Sequence, residues 1–247
     1  MSTAADRYVM LAFPHSGTVR TDFMMSVVNI LNNPESPVLA VYPLEGGPLL
    51  SQGRNRIACY FLTSPCEWLW MVDTDIVFDP ATLTALLACA DPEERPLISA
   101  VYQLRISGRM YFAMFTAKND DEGRFRLAVV ENPPASELIP VLAVGCGCLL
   151  AHRSVFERIN KNCPDDNLWF AEAKIDGEVF GEDVSFCFQA AAAGIPLFVH
   201  TGIQVGHIKS AMFGEKRTDG SLIRTPALPL PPGERLRWRD RLPRHSP

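Results

Sequence analysis

The chain has 247 residues, 47% of them hydrophobic and 21% charged, and carries a formal net charge of -5 at pH 7. That is the composition of a globular protein able to bury one substantial core, and its acidic balance excludes whole-molecule attraction for nucleic acid or anionic lipid. No apolar run is long enough to span a bilayer. Seven cysteines without a CxxC pair predict reduced, mostly buried thiols in a cytoplasmic setting, not a zinc site or a disulfide framework.

In chain order, "MSTAADRYVMLAF" lacks a small-residue cleavage site and reads as a lead into a first strand, 8–13, instead of a signal peptide. The turn "PHSG" follows, then a helix over 18–33 with Phe23, Val27, Ile30 and Leu31 on one face. "VLAVYP" (38–43) is a second strand, and 49–64 a helix with Ser51 as its N-cap. "WLWMVDTDIVF" is a central strand. Asp79 caps the helix after it, with Pro80 at the first helical position. This alternation predicts a parallel sheet wound with helices.

The second half is strand-rich. Strands are expected at 96–103, 110–117 and 124–131, with the "KNDDEG" loop joining the last two as a hairpin. The apolar, glycine-broken run 138–152 is another strand. A short helix capped by Ser154 and a helix over 181–194 ending at Gly194 precede a closing strand and loop, 195–208. The expected organisation is one α/β domain over residues 1–215 and a Pro/Arg-rich tail, 216–247.

The chemistry concentrates on Asp73 and Asp75. Two acids in an apolar strand are costly unless paired or metal-bound, so they belong where the strand emerges, the edge at which open α/β sheets bind ligands. Residues two apart on an extended chain point the same way, so both can face one hard divalent cation that in turn holds a diphosphate. The motif is equally the start of a haloacid-dehalogenase-type phosphatase, with Asp73 the phosphorylated nucleophile. A helix-capping acid beside a solvated turn acid is the plain alternative. The strand–helix–strand–helix unit ahead of the motif, and the absence of a later Gly-Asp signature, speak against the phosphatase.

Three further clusters accompany the pair: Arg54 and Asn55 before it, Glu182 and Asp183 opening a later helix, and His200 and His207 near the last strand. In this order the chain resembles the GT-A glycosyltransferases, particularly bacterial and phage family-2-like enzymes with RN, DxD, ED and a late histidine. The resemblance covers residues 8 to 210 or so. It implies a GT-A α/β fold, with a nucleotide-binding parallel half joined to a mixed-sheet acceptor half. It also implies transfer of a sugar from a nucleoside-diphosphate sugar, UDP first, to a hydroxyl of a phage or bacterial protein, a modified DNA base or a glycan.

The same resemblance assigns roles. Phe13, Pro14, His15 and Ser16 would meet the donor base and ribose, and Arg54 and Asn55 would lie close to the nucleotide-sugar. Asp73, Asp75 and His207 would hold Mn2+, or Mg2+, on the donor diphosphate, the imidazole favouring manganese. Asp183, with Glu182, would deprotonate the acceptor in an inverting enzyme or orient acceptor or sugar in a retaining one. Gly145 and Gly147 of "GCGC" would lie beneath the donor sugar, tight strand packing being the alternative. Trp169 and Phe170 would offer an acceptor platform if they are not core, and His200 is structural. Arg235, Arg237, Arg239, Arg241 and Arg244 around Trp238 suit phosphate and base contacts, pulling toward a nucleic-acid acceptor, or, as the plainer reading, docking on an acidic neighbour or a second subunit. A catalytically silent nucleotide-sugar binder is the competing function.

Overall fold

Apolar runs alternating with helix-forming segments build the first half as repeated strand–helix units. In the computed structural model, which describes residues 8–46, 49–106, 109–162 and 168–209, β1 (Val9–His15) leads to α1 (Thr21–Leu31) and β2 (Val38–Glu45) to α2 (Leu50–Thr63). Next, β3 (Trp68–Val72) passes through a turn and the short β4 (Ile76–Val77) into α3 (Pro80–Cys89). Asp79 caps α3, its carboxylate accepting from the Ala81 N–H at 2.8 Å, with Pro80 in the first turn. Ser51 is not the cap of α2: Leu49 holds that position and no side chain bonds the helix end.

The second half comprises β5 (Leu97–Val101), β6 (Gln103–Ile106), β7 (Arg109–Phe112), β8 (Met114–Asn119), β9 (Phe125–Val129), β10 (Leu138–Val141), β11 (Ala143–Val144) and β12 (Cys148–His152). After these come α4 (Arg153–Asn162), β13 (Ala173–Ile175), β14 (Glu178–Phe180), α5 (Glu182–Ala192), β15 (Leu197–Gln204) and β16 (Gly206–His207). Three runs read as single strands are divided, and pairing is the reason. Residues 110–117 split because β7 pairs with β6 and β8 with β9. Residues 138–152 split because β10, β11 and β12 pair with β15, β8 and β3 respectively. The run 68–78 breaks at Asp73, after which β4 pairs with β16.

Seven strands form one mixed sheet in the order β10-β15-β5-β12-β3-β1-β2. The β2, β1 and β3 strands are parallel, as are β5 and β15, while β12 runs antiparallel to both β3 and β5. Both faces of β3 are buried because helices cover each side. Trp68, Trp70 and Val72 pack with Phe23, Ile30, Leu83 and Leu86 of α1 and α3. Leu69 and Met71 pack with Ile57, Phe61, Phe156 and Phe186 of α2, α4 and α5. Polar chemistry is therefore excluded until the chain leaves β3 at Val72, and the acids that follow lie at the carboxyl rim of the parallel strands.

Among the described residues no helix is long and apolar enough to cross a membrane. Cys59, Cys66, Cys89, Cys146, Cys148 and Cys187 are free thiols, four of them buried. The tail expected from residue 216, with its arginines and the oligomer contact suggested for it, lies outside the described residues.

Candidate functional site

Four separated sequence clusters converge at the end of β3, and Arg54 is their hub. Gly53 leaves α2 close to Pro14, and Arg54 points inward from the next position with 2% exposure. Its Nη2 donates to both oxygens of Asp73 at 2.9 and 3.1 Å, and its Nη1 donates to the Cys146 carbonyl at 3.2 Å. The buried Nε lies 3.5 Å from Glu182 Oε1, an ion-pair contact without a hydrogen bond. Burial opposes the guanidinium's charge. Asp73 first, then the Cys146 site, Glu182 and Asp183 more than offset that, and its pKa lies above the ordinary arginine value.

This corrects two expectations. Arg54 does not present itself to a nucleotide-sugar, because its guanidinium is consumed inside the protein. Asn55 is likewise buried and spent: its amide donates to the Phe170 carbonyl at 2.7 Å and accepts from the Phe170 N–H at 2.9 Å. The RN pair wires the DxD turn, the GCGC turn and the segment before α5 into one unit. Both carboxylate oxygens of Asp73 accept from Arg54.

Asp75 faces the other way, toward the last strand. The β4–β16 bridge pairs His207 with Ile76, and the Ile208 N–H donates to the Asp75 carbonyl at 2.8 Å. His207 Nε2 then lies 3.2 Å from Asp75 Oδ2, while its Nδ1 is 2.7 Å from the Gln103 carbonyl. A carbonyl only accepts, so Nδ1 carries the proton and a neutral ring turns its Nε2 lone pair toward the carboxylate. Two acceptors attract only if a second proton or a shared cation lies between them. A backbone carbonyl behind the remote ring nitrogen is also how metal-bound histidines are usually oriented. An oxygen–nitrogen pair such as Asp75 and His207 is a donor set that a divalent first-row transition-metal cation can take.

The expected three-ligand set is not gathered. Asp73 turns to Arg54, and among the described residues no group of three or more His, Cys, Asp or Glu is placed to hold a metal. A cation here would rest on Asp75 and His207 and take its remaining oxygens from water or a ligand.

The GCGC turn closes the third side. The Asp73 N–H donates to the Gly147 carbonyl at 2.9 Å, and the Gly147 N–H donates to the Tyr102 hydroxyl at 3.2 Å. A Cβ on Gly145 would overlap the Tyr102 hydroxyl, and one on Gly147 would stand 2.9 Å from the ring's Cζ. Both glycines are thus needed to admit Tyr102 beside the turn, so tight packing explains them without a sugar. The Tyr102 ring meets His207 edge-on at 5.0 Å. Burial first, then Asp73, pushes its phenol well above the usual value, so it stays neutral. Asp183, in the first turn of α5, borders the same place: its Oδ2 would be 3.5 Å from a Gly145 Cβ, and its Oδ1 accepts from the Val184 N–H at 2.8 Å. Burial, more than the neighbouring Glu182, raises the Asp183 carboxyl above the ordinary aspartate value.

Other expected contacts fall away for lack of exposure. Phe13 and Pro14 are buried, which leaves His15 and Ser16 as the part of that loop open to a ligand. Trp169 and Phe170, each 1% exposed, are core: Phe170 stacks on Phe186 at 4.5 Å and Trp169 meets Phe156 edge-on, so neither offers a face to an acceptor. His200 Nδ1 accepts from the Gly202 N–H at 3.2 Å. Sequence reasoning missed Tyr102, the Gln103 carbonyl and Lys209. The first two directly follow β5 at the same rim as Asp73, a signal that was available. Lys209 lies two residues beyond His207.

The central β2-β1-β3 parallel unit, the antiparallel β12 inserted beside β3, and an acid-bearing turn at the rim define a GT-A-type fold. No protein-family model matches the chain, and no curated protein matches it in sequence. Solved structures do. The crystal structure of A197 from STIV has a TM-score of 0.54 at 16% identity, covering 82% of this chain and 86% of that one. The crystal structure of GalNAc-T7 with UDP, GalNAc and Mn2+ has a TM-score of 0.54 at 12% identity. That match covers 81% of this chain and 44% of the larger protein, so this chain spans less than half its length.

Proposed function

We propose that the protein is a metal-dependent glycosyltransferase that moves a sugar from a nucleoside-diphosphate sugar, with UDP as the first donor to test, to an acceptor hydroxyl. The observation that carries the reading is the Asp75–His207 pair. Its ring proton is fixed by the Gln103 carbonyl, and it stands at the sheet rim where Asp73, Arg54 and Asp183 converge. The GT-A fold, shared with GalNAc-T7 solved with UDP, GalNAc and Mn2+, supports it. So does charge. Asp73, Asp75, Glu182 and Asp183 would repel a diphosphate, Arg54 and Lys209 being the cations paired with them among the described residues, and a divalent cation removes the excess.

The residues divide the work. Asp75 and His207 would hold Mn2+ or Mg2+, whose chemistry is to stabilise the charge growing on the leaving diphosphate. Arg54 partly offsets the burial that raises the Asp73 carboxyl, and fixes the turn that carries Asp75. Half-buried His15 and exposed Ser16 are the residues of that loop left to meet the nucleotide. Asp183 has the raised carboxyl of a general base, able to take the acceptor's proton as its oxygen attacks the anomeric carbon.

Calorimetry with UDP, with and without Mn2+, tests the binding half. UDP should bind only with metal, and Asp75→Ala should remove that binding. Release of UDP from a panel of UDP-sugars tests turnover. Metal-dependent UDP binding without turnover would leave a silent nucleotide-sugar binder, and no UDP binding at all would end the reading.

A further inference from the structure

The one oxygen best placed to take a metal already holds a cation. Asp75 Oδ2 accepts from Lys209 Nζ at 2.6 Å, on the side not taken by His207 Nε2 at 3.2 Å. We infer that Lys209 is a gate that makes metal and donor diphosphate bind together: its ammonium occupies the cation position on Asp75 when the site is empty and moves onto the diphosphate when the metal arrives. This rests on the functional reading above and adds a residue and a binding order to it.

Three observations support the gate. First, the lysine's backbone is anchored but its arm is not. The Ile208 N–H to Asp75 carbonyl bond and the β4–β16 bridge pin the chain immediately before it, while its own side chain is 63% exposed and, among the described residues, bonded to Asp75. Swinging the arm breaks that one exposed ion pair. Second, Arg54 cannot play this part. It is 2% exposed and committed to Asp73 and the Cys146 carbonyl, whereas Lys209 is an exposed cation in contact with Asp75. Third, a divalent cation on Asp75 Oδ2 and an ammonium on the same oxygen would stand within a few ångströms of each other and repel strongly. Metal alone must therefore evict the lysine into water. Metal with a diphosphate need not, because the phosphate oxygens give the displaced ammonium a stronger partner than a lone carboxylate. Coupling of this kind is reciprocal, so the lysine weakens metal binding without nucleotide and strengthens nucleotide binding with metal.

The test is paired titration of the full chain with Mn2+ alone, followed by paramagnetic resonance, and with UDP at saturating Mn2+, followed by calorimetry. Lys209→Met keeps the arm's length without its charge. It should bind Mn2+ alone about fivefold more tightly and bind UDP in Mn2+ about fivefold more weakly, the lower end of ordinary coupling. Lys209→Arg should restore wild-type behaviour in both. If wild type binds Mn2+ and UDP but Lys209→Met changes neither affinity, or weakens both, the gate is wrong and the transferase reading survives. If wild type binds neither Mn2+ nor UDP, the functional reading fails and the gate falls with it.

Discussion

Replacing Arg54 by methionine tests whether the site is held together from inside. The substitution keeps most of the apolar stem and deletes the guanidinium, which leaves Asp73 without its bidentate partner and the Cys146 carbonyl without its donor. Breaking a buried ion pair from one side costs about 3–5 kcal/mol. Arg54 is 2% exposed but Asp73 keeps 29%, so water recovers part of that loss and about 2–4 kcal/mol is the better figure. For a domain of this size that amounts to a melting point lowered by roughly 6–12 °C. Urea unfolding followed by tryptophan fluorescence, with an unchanged slope, measures it directly. The companion variant Arg54→Met/Asp73→Asn removes the stranded charge and should regain about 1–3 kcal/mol over simple additivity. A single variant within about 0.5 kcal/mol of wild type, or a double variant that merely sums the singles, would refute the hub.

Gly145→Ala should destabilise by about 1–3 kcal/mol, the usual penalty of overpacking, and Tyr102→Phe should return part of it by removing the hydroxyl that the new methyl meets. Trp169→Ala should lose about 3–5 kcal/mol in the same unfolding assay, and a loss below about 1 kcal/mol would contradict its place in the core. Asp183→Asn should reduce turnover about 10^2- to 10^4-fold while UDP affinity in Mn2+ holds, if Asp183 takes the acceptor's proton. A base works only when ionised, and burial raises this carboxyl. Hydrolysis of the UDP-sugar should therefore fall, as pH is lowered, at a pH above the ordinary aspartate range. A profile flat through that range would exclude Asp183 as the base.

Much of this was legible before any coordinates. Strong local signals survived: the Asp79–Pro80 helix start, the "KNDDEG" hairpin, and the apolar β3 from which two acids emerge. What failed needed knowledge of partners. The apolar spacing of α1 predicts Leu31 inward, but Leu31 is exposed and Ser26 is buried, its hydroxyl accepting from the Phe78 N–H at 3.1 Å. The pattern of apolar residues cannot announce such a bond across 52 positions. The site divides similarly. The set RN, DxD, ED and late His did converge, yet direction was invisible: Arg54 and Asn55 could as well have pointed at a ligand as at the protein. Whether Asp73 and Asp75 face one cation or opposite ways depends on the turn that breaks the strand between Val72 and Ile76. That turn is set by β4 pairing with β16, a strand written much later in the chain.

That late pairing has a further consequence for how the protein comes into being. Asp75 and His207 meet across 132 positions, and the ring reaches the carboxylate only after β15 has added itself beside β5. As the chain leaves the ribosome, the parallel half can collapse around β3 long before its counterpart exists. Closure of so distant a loop is entropically dear and comes late. A nascent or interrupted polypeptide therefore carries the acid-bearing turn with nothing to grip beside it. On the function proposed above, the cation-holding pair would be completed late in folding, so a partly made molecule would lack it.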